Sequence, residues 1–220
     1  MFIGHYGPAF AAKAVAKTVP LWVLFVAAQW VDFLWAGFVI FGIEKMRIIA
    51  NFFGLSPLDL YYMPFSHGLP SVALLALVFG GIAAAGLGGN RPFVTAAVAA
   101  TSFSHWLLDL VVHRPDLPLI FDEMKVGFGL WHYPYVSVPV EIALVFGGIW
   151  LYDRAVPSPT RAGQIALWGL GFAMAALQVQ NTFFSEHPPT PEGFAQLSLV
   201  GYTTLTVLAA GVDYLRRAKR

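Results

Sequence analysis

The chain reads as an all-α membrane protein with about six transmembrane helices and a short or re-entrant N-terminal helix. Three observations predict this. Of 220 residues, 58% are hydrophobic and only 11% charged, where a soluble domain carries about a quarter charged. Mean hydropathy is +0.67. Six apolar stretches reach the length of about 20 helical residues that crosses a hydrocarbon core about 30 Å thick.

The elements follow in chain order. Residues 1 to 20 lack the charged start, long apolar middle and small-residue cleavage site of a secretory leader, so they are expected to remain. Residues 8 to 17 are expected to be helical and to turn back at Thr18 to Pro20. The six spans run approximately Val19 to Ile43, Leu69 to Gly88, Phe93 to Val112, Tyr135 to Tyr152, Ile165 to Gln180 and Ala195 to Leu215. Gly80-Gly81, Gly86, Gly88-Gly89 and Gly147-Gly148 suit close helix packing in lipid, where small residues let backbones approach. Trp22, Trp30, Trp35, Trp150 and Trp168, with several tyrosines, lie near segment ends, where aromatic belts form.

Basic residues are distributed unevenly between the connections. Lys13, Lys17, Arg91, Arg154, Arg161, Arg216, Arg217, Lys219 and Arg220 fall on one side, against Lys45, Arg47, Arg114 and Lys125 on the other. The bias predicts cytoplasmic termini, and an outward face for the connections 44 to 68 and 113 to 134. No internal repeat, low-complexity tract or linker divides the chain. Residues 1 to 220 therefore form a single polytopic membrane domain, with a site-bearing part at about 1 to 152 and two additional helices at about 163 to 215. A formal net charge of +1, with its basic residues at segment ends, leaves no footprint for nucleic acid. There is no cysteine, so any metal must be held by His, Asp or Glu.

Ionisable residues within the spans carry the functional signal. Burying a charge at the centre of a spanning helix costs about 2.5 to 3.5 kcal/mol on insertion scales, so such residues need partners and mark function. His105 and Asp109 stand four apart in the third span, and His113 continues the same stripe. His5 lies about 12 residues before the turn at Thr18 to Pro20 and Asp32 12 residues after it, which sets both about 18 Å above that turn. His105 is at nearly that level, 13 residues beyond Pro92. His67 follows from Met63-Pro64-Phe65-Ser66-His67-Gly68-Leu69-Pro70, where two prolines and a glycine predict a bent approach of the kind tolerated at a cavity. Neutral imidazoles and carboxylates suit Zn²⁺ and related divalent ions, so His5, Asp32, His67, His105 and Asp109 form the candidate ligand set. The bland alternative for each is a polar contact between helices.

Gly4-His5-Tyr6, the Asp32 helix, Tyr62 to Leu69, Ser104-His105-Trp106-Leu107-Leu108-Asp109 and the Gly127 to Trp131 segment together resemble the bacterial membrane-bound metal-dependent hydrolases, once called LexA-binding inner-membrane hydrolases. The resemblance covers residues 4 to 134 and leaves out the last two helices. It implies metal ligation by His5, Asp32, His67, His105 and Asp109. In ligand order it is also remotely similar to zinc-dependent phospholipase C. Two departures stand out: Ser66-His67-Gly68 replaces the family's Thr-His-Ser, and Val31-Asp32-Phe33-Leu34 has one acid where the family has two. Fewer carboxylates argue against several metals.

The expected function is metal-dependent hydrolysis of a lipid-like phosphoester or related ester in a bacterial inner membrane, at a site opening outward. A bound divalent ion, Zn²⁺ first, lowers the pKa of its water toward ~7. His113, Arg114 and Asp116 are the catalytic candidates at the mouth, with Asp116 a base or shuttle and Arg114 an anion stabiliser, or else a helix cap and an Arg114-to-acid pair. Asp122, Glu123 and His132 are further candidates for the mouth, and Glu141 for a carboxylate that orients a ligating histidine. Two other readings remain: a proton or metal-ion carrier, and a noncatalytic subunit of a larger membrane complex. The partners expected are the bilayer, a lipid-like substrate, and a second copy or membrane-complex partner.

Overall fold

The computed structural model describes residues 1 to 216; Arg217, Lys219 and Arg220, counted above in the charge bias, lie outside the described residues. Among the described residues, six helices are long and apolar enough to cross a membrane. A 3-10 turn, Ile3–His5, leads into α1 (Tyr6–Val15). Then come α2 (Leu21–Ile40), β1 (Lys45–Phe53), β2 (Ser56–Tyr62), α3 (Leu69–Leu87) and α4 (Arg91–Val112). The chain ends in α5 (Pro134–Ala155), α6 (Arg161–Phe183) and α7 (Pro191–Leu215). Ten residues of α1 rise only about 15 Å, half a bilayer, so this helix enters the bundle without crossing it.

Local chemistry sets the helix boundaries. Asn90, Thr160 and Thr190 accept from Phe93 N, Gly163 N and Gly193 N, capping α4, α6 and α7. Proline stands in the first turn of α3, α4, α5 and α7, where its missing N–H leaves no donor unpaired. Outward faces are apolar: Leu74, Leu77 and Ile82 on α3, and Leu197, Val200 and Val207 on α7, are all exposed. Such a surface is unsuited to water and suited to lipid.

Packing fixes α1 inside the bundle. Its lower end is held by Lys13, whose Nζ donates to Val19 O at 2.6 Å and lies 3.8 Å from Asp213 of α7. Asp213 in turn accepts from Leu21 N, the first residue of α2, at 2.5 Å. Against α5, α1 packs through Gly7, where an added β-carbon would stand 2.7 Å from Leu144 O. Gly148 of α5 faces Gly7 O across the same contact, and Gly80 stands 2.6 Å by the same measure from Thr95 O of α4, whereas Gly81, Gly86 and Gly147 face open space. One large apolar cluster, including Tyr6, Phe10, Phe25, Ile149 and Leu167, fills the half of the bundle around α1. A second, around Trp35, Met63, Trp106 and Leu117, lies beneath the hairpin.

The antiparallel hairpin β1–β2 was not expected. It pairs Lys45 with Tyr62, Arg47 with Asp59 and Ile48 with Leu58, with irregular register between them, and Asn51 and Gly54 take positive φ near its turn. Its apolar residues do not alternate cleanly with polar ones, so the period-2 signal of a strand is weak in the sequence.

Candidate metal centre

All five candidate ligands converge. His5 arrives on the 3-10 turn, Asp32 from the middle of α2, His67 from the bend before α3, and His105 and Asp109 from one face of α4. His5, His67, His105 and Asp109 are buried, and Asp32 nearly so. His5, His105 and Asp109 form one group able to hold an ion, and Asp32, His67 and His105 form a second that shares His105.

The separations suit shared ligation. His5 Nε2 lies 3.1 Å from Asp109 Oδ1, and His105 Nε2 lies 3.1 Å from Asp109 Oδ2 and 3.5 Å from Asp32 Oδ1. His67 Nε2 lies 3.4 Å from Asp32 Oδ1 and 3.6 Å from Asp109 Oδ2. Two donors bonded at about 2.0 to 2.1 Å to one tetrahedral ion stand about 3.3 Å apart.

Hydrogen bonds on the far side of the rings define which nitrogen is bare. His105 Nδ1 is 2.7 Å from Ala28 O. A carbonyl only accepts, so Nδ1 carries the proton and Nε2 presents a lone pair. His113 does the same toward Asp116 Oδ1 at 2.8 Å. For His67 the relay is longer: Nδ1 is 2.7 Å from Ser66 Oγ, whose hydroxyl donates to Glu44 Oε2 at 2.5 Å. With its proton given to Glu44, Ser66 accepts from His67 Nδ1. Glu44 Oε1 also accepts from Phe65 N and Ser66 N, each at 2.8 Å, which fixes the bend itself. Burial pushes the Glu44 carboxyl above its usual value, against the opposing pull of His67 and these hydrogen bonds.

Bare imidazole nitrogens therefore face carboxylate oxygens, lone pair against lone pair. A cation shared between them relieves that repulsion. Neither nitrogen of His5 nor Nε2 of His105 makes a hydrogen bond of ordinary geometry despite separations of 3.1 Å from Asp109. The ammonium of Met1, 2.6 Å from Asp109 Oδ1, is a further positive charge drawn to the same carboxylates. Tyr202 of α7 donates to Asp32 Oδ2 at 3.2 Å and orients the remaining acid.

A cavity of about 420 Å³ opens on this cluster. Asp32, His67, Asp109 and His113 reach its wall, with His5 and His105 behind them. His113 Nε2 is 3.7 Å from Asp109 Oδ1. Arg114 and Asp116 do not line the cavity. Arg114 donates through Nε to Asp116 Oδ2 at 3.1 Å and through its terminal nitrogen to Asp59 Oδ1 at 2.5 Å, and its guanidinium lies over Phe52. It is thus engaged by two acids and is not placed to meet an anion in the cavity.

The remaining mouth residues also lie elsewhere. Asp122 pairs with Lys125 at 2.8 Å and His132 packs against Phe53, and neither they nor Glu123 reach the wall. Glu141 bonds no histidine ring. Its Oε2 accepts from Phe2 N and Gly4 N at 2.9 and 3.0 Å, so it positions the turn that carries His5 through the backbone. Trp35 is buried at the cavity wall.

Sequence reasoning missed the α6 and α7 contribution to the cavity. Gln178, Asn181 and Thr182 follow helical spacing on one face of α6, with Ser185 just beyond its end, a polar stripe in a span that the charge pattern alone does not flag. It also missed Glu44, which falls beyond the end of α2 and shows its role only through the Ser66 relay. No family model, curated protein or solved structure matches the chain.

Proposed function

We propose that this chain is a membrane-embedded, metal-dependent hydrolase acting on an ester of a lipid-like molecule. The observation that carries the proposal is the convergence of three imidazoles and two carboxylates on a buried point beside a cavity, with the proton-bearing nitrogens of His67 and His105 committed elsewhere. The donor set fits Zn²⁺, which takes N and O ligands in this number and whose histidines commonly donate their second nitrogen to a carbonyl or a carboxylate relay. Bound there, the ion would supply an acidified water and polarise the ester oxygen. The resemblance over residues 4 to 134 supports the same reading.

The chain's own residues supply proton handling. His113 reaches the cavity with a bare Nε2, and Asp116 fixes its Nδ1–H. His113 is therefore the group placed to accept a proton from water and return it to the leaving oxygen. Asp116 and Arg114 are positioning residues, the second holding the first. Placement in a bacterial inner membrane with both termini cytoplasmic belongs to the proposal and rests on the bias of basic residues.

The test is turnover. Detergent-purified protein loaded with zinc is offered 4-methylumbelliferyl oleate and a methylumbelliferyl lipid phosphodiester. Release of fluorophore from either, lost in His105→Ala, supports the proposal. No release from either by zinc-loaded, folded protein rejects it.

A further inference from the structure

Resting on the hydrolase reading for its chemistry, we infer that the substrate is an uncharged carboxylic ester with a hydroxyl-bearing alcohol, entering from the bilayer between α6 and α7. The charge inventory of the cavity gives the first part. Its wall holds three acids, Asp32, Asp109 and Glu141, and no lysine or arginine among the described residues. Its one ammonium, that of Met1, is already paired with Asp109. A single divalent ion and this ammonium carry three positive charges, which Asp32, Asp109 and Glu141 together balance, so the site has no surplus positive charge for a phosphate. An anion brought into such a site would stay uncompensated in a low dielectric, which is expensive. A neutral carbonyl meets no such penalty.

The opposite wall gives the second part. Gln178, Asn181 and Thr182 of α6 and Ser198 of α7 present amides and hydroxyls, with no formal charge, to the cavity. Gln178 is buried at 4% exposure, its Nε2 donates to Thr182 Oγ1 at 3.3 Å, and its Oε1 has no partner. A buried carbonyl oxygen favours a donor, which a ligand O–H can supply. Leu177, Leu197 and Val200 line the same cavity and are exposed, and Val200 also borders an open surface groove with Thr203 and Val207. The cavity thus reaches the lipid-facing side between two spanning helices, where an acyl chain can remain among apolar residues while its polar end meets Gln178 and the histidines.

In the reaction that follows, the oxygen of water bonds to the acyl carbon and the acyl C–O bond breaks. One water proton passes by way of His113 Nε2 to the departing alkoxide. A fatty acid and an alcohol result, and no oxidant or second substrate is needed.

Binding tests this separately from turnover. Trp35 and Trp131 line the cavity, so a dibrominated acyl chain entering it quenches their fluorescence. Zinc-loaded protein in detergent is titrated with a dibrominated monoacylglycerol and with the lysophosphatidate carrying the same chain. The monoacylglycerol is expected to bind at least about tenfold tighter, and Gln178→Leu to weaken it about tenfold, the worth of one buried hydrogen bond. Asn181→Lys, which adds a cation to the wall at a half-buried position, should shift preference toward the lysophosphatidate. Equal or tighter lysophosphatidate binding by the wild type overturns the inference, as does an unchanged ratio in a folded Asn181→Lys protein. If the preference holds but no ester is cleaved, the ligand class stands and the hydrolase reading falls.

Discussion

Replacing Glu44 by glutamine alters one proton position and should thereby weaken a metal site that Glu44 never touches. In the wild type, Ser66 gives its only proton to Glu44 Oε2, which obliges His67 Nδ1 to donate to Ser66 and leaves Nε2 bare. A glutamine keeps an oxygen that can accept from Phe65 N and Ser66 N, so the bend survives. Its amide nitrogen, however, donates to Ser66 Oγ. The serine proton then turns toward His67 Nδ1, the ring proton moves to Nε2, and one of three imidazoles presents N–H where a lone pair is required. Loss of such an outer partner costs about 10 to 100-fold in metal affinity, or about 1.4 to 2.7 kcal/mol. Competition against a chromophoric zinc chelator measures it, with thermal unfolding of the metal-free protein as the control. Ser66→Ala should fall in the same range. A Glu44→Gln protein that folds normally and binds zinc as tightly as wild type refutes the relay.

Three further outcomes follow from the geometry. His113→Ala should lower kcat by about 10² to 10⁴-fold while zinc content is unchanged, as expected for a lost proton carrier; a fall in bound zinc instead would make His113 a ligand. Glu141→Leu strands the N–H of Phe2, part-buried, and that of Gly4, buried, the latter at about 1 to 3 kcal/mol, so both zinc affinity and unfolding temperature should drop. Gly7→Val drives a side chain into Leu144 O, where an added β-carbon already stands at 2.7 Å, and should destabilise by about 1 to 3 kcal/mol or more. Gly147→Val, in open space, is the matched control, and equal unfolding temperatures for the two would contradict the packing of α1 on α5.

Much of this architecture is legible because the bilayer imposes one strong rule. Spans of about 20 apolar residues are visible without any tertiary knowledge, and helix rise alone placed His5, Asp32 and His105 at one depth. The i, i+4 spacing of His105 and Asp109 likewise put both on one helix face. What stayed hidden depends on contacts between distant segments. Glu141 looked like a partner for a histidine ring because it is a buried acid, but its reach to Phe2 N and Gly4 N is fixed by how α1 lies on α5. Arg114 looked like an anion binder, yet Asp59 on an unforeseen hairpin takes up its guanidinium. The cavity wall on α6 and α7 was overlooked because amides and hydroxyls carry no charge, and so raise no alarm within an apolar span.

X-ray absorption at the zinc K-edge, on detergent-purified protein given one equivalent of zinc, tests the central claim most directly. The account predicts a shell of nitrogen and oxygen at about 2.0 to 2.1 Å with the outer scattering of about three imidazoles, reduced by one in His105→Ala. A spectrum of hydrated zinc without imidazole scattering would contradict it.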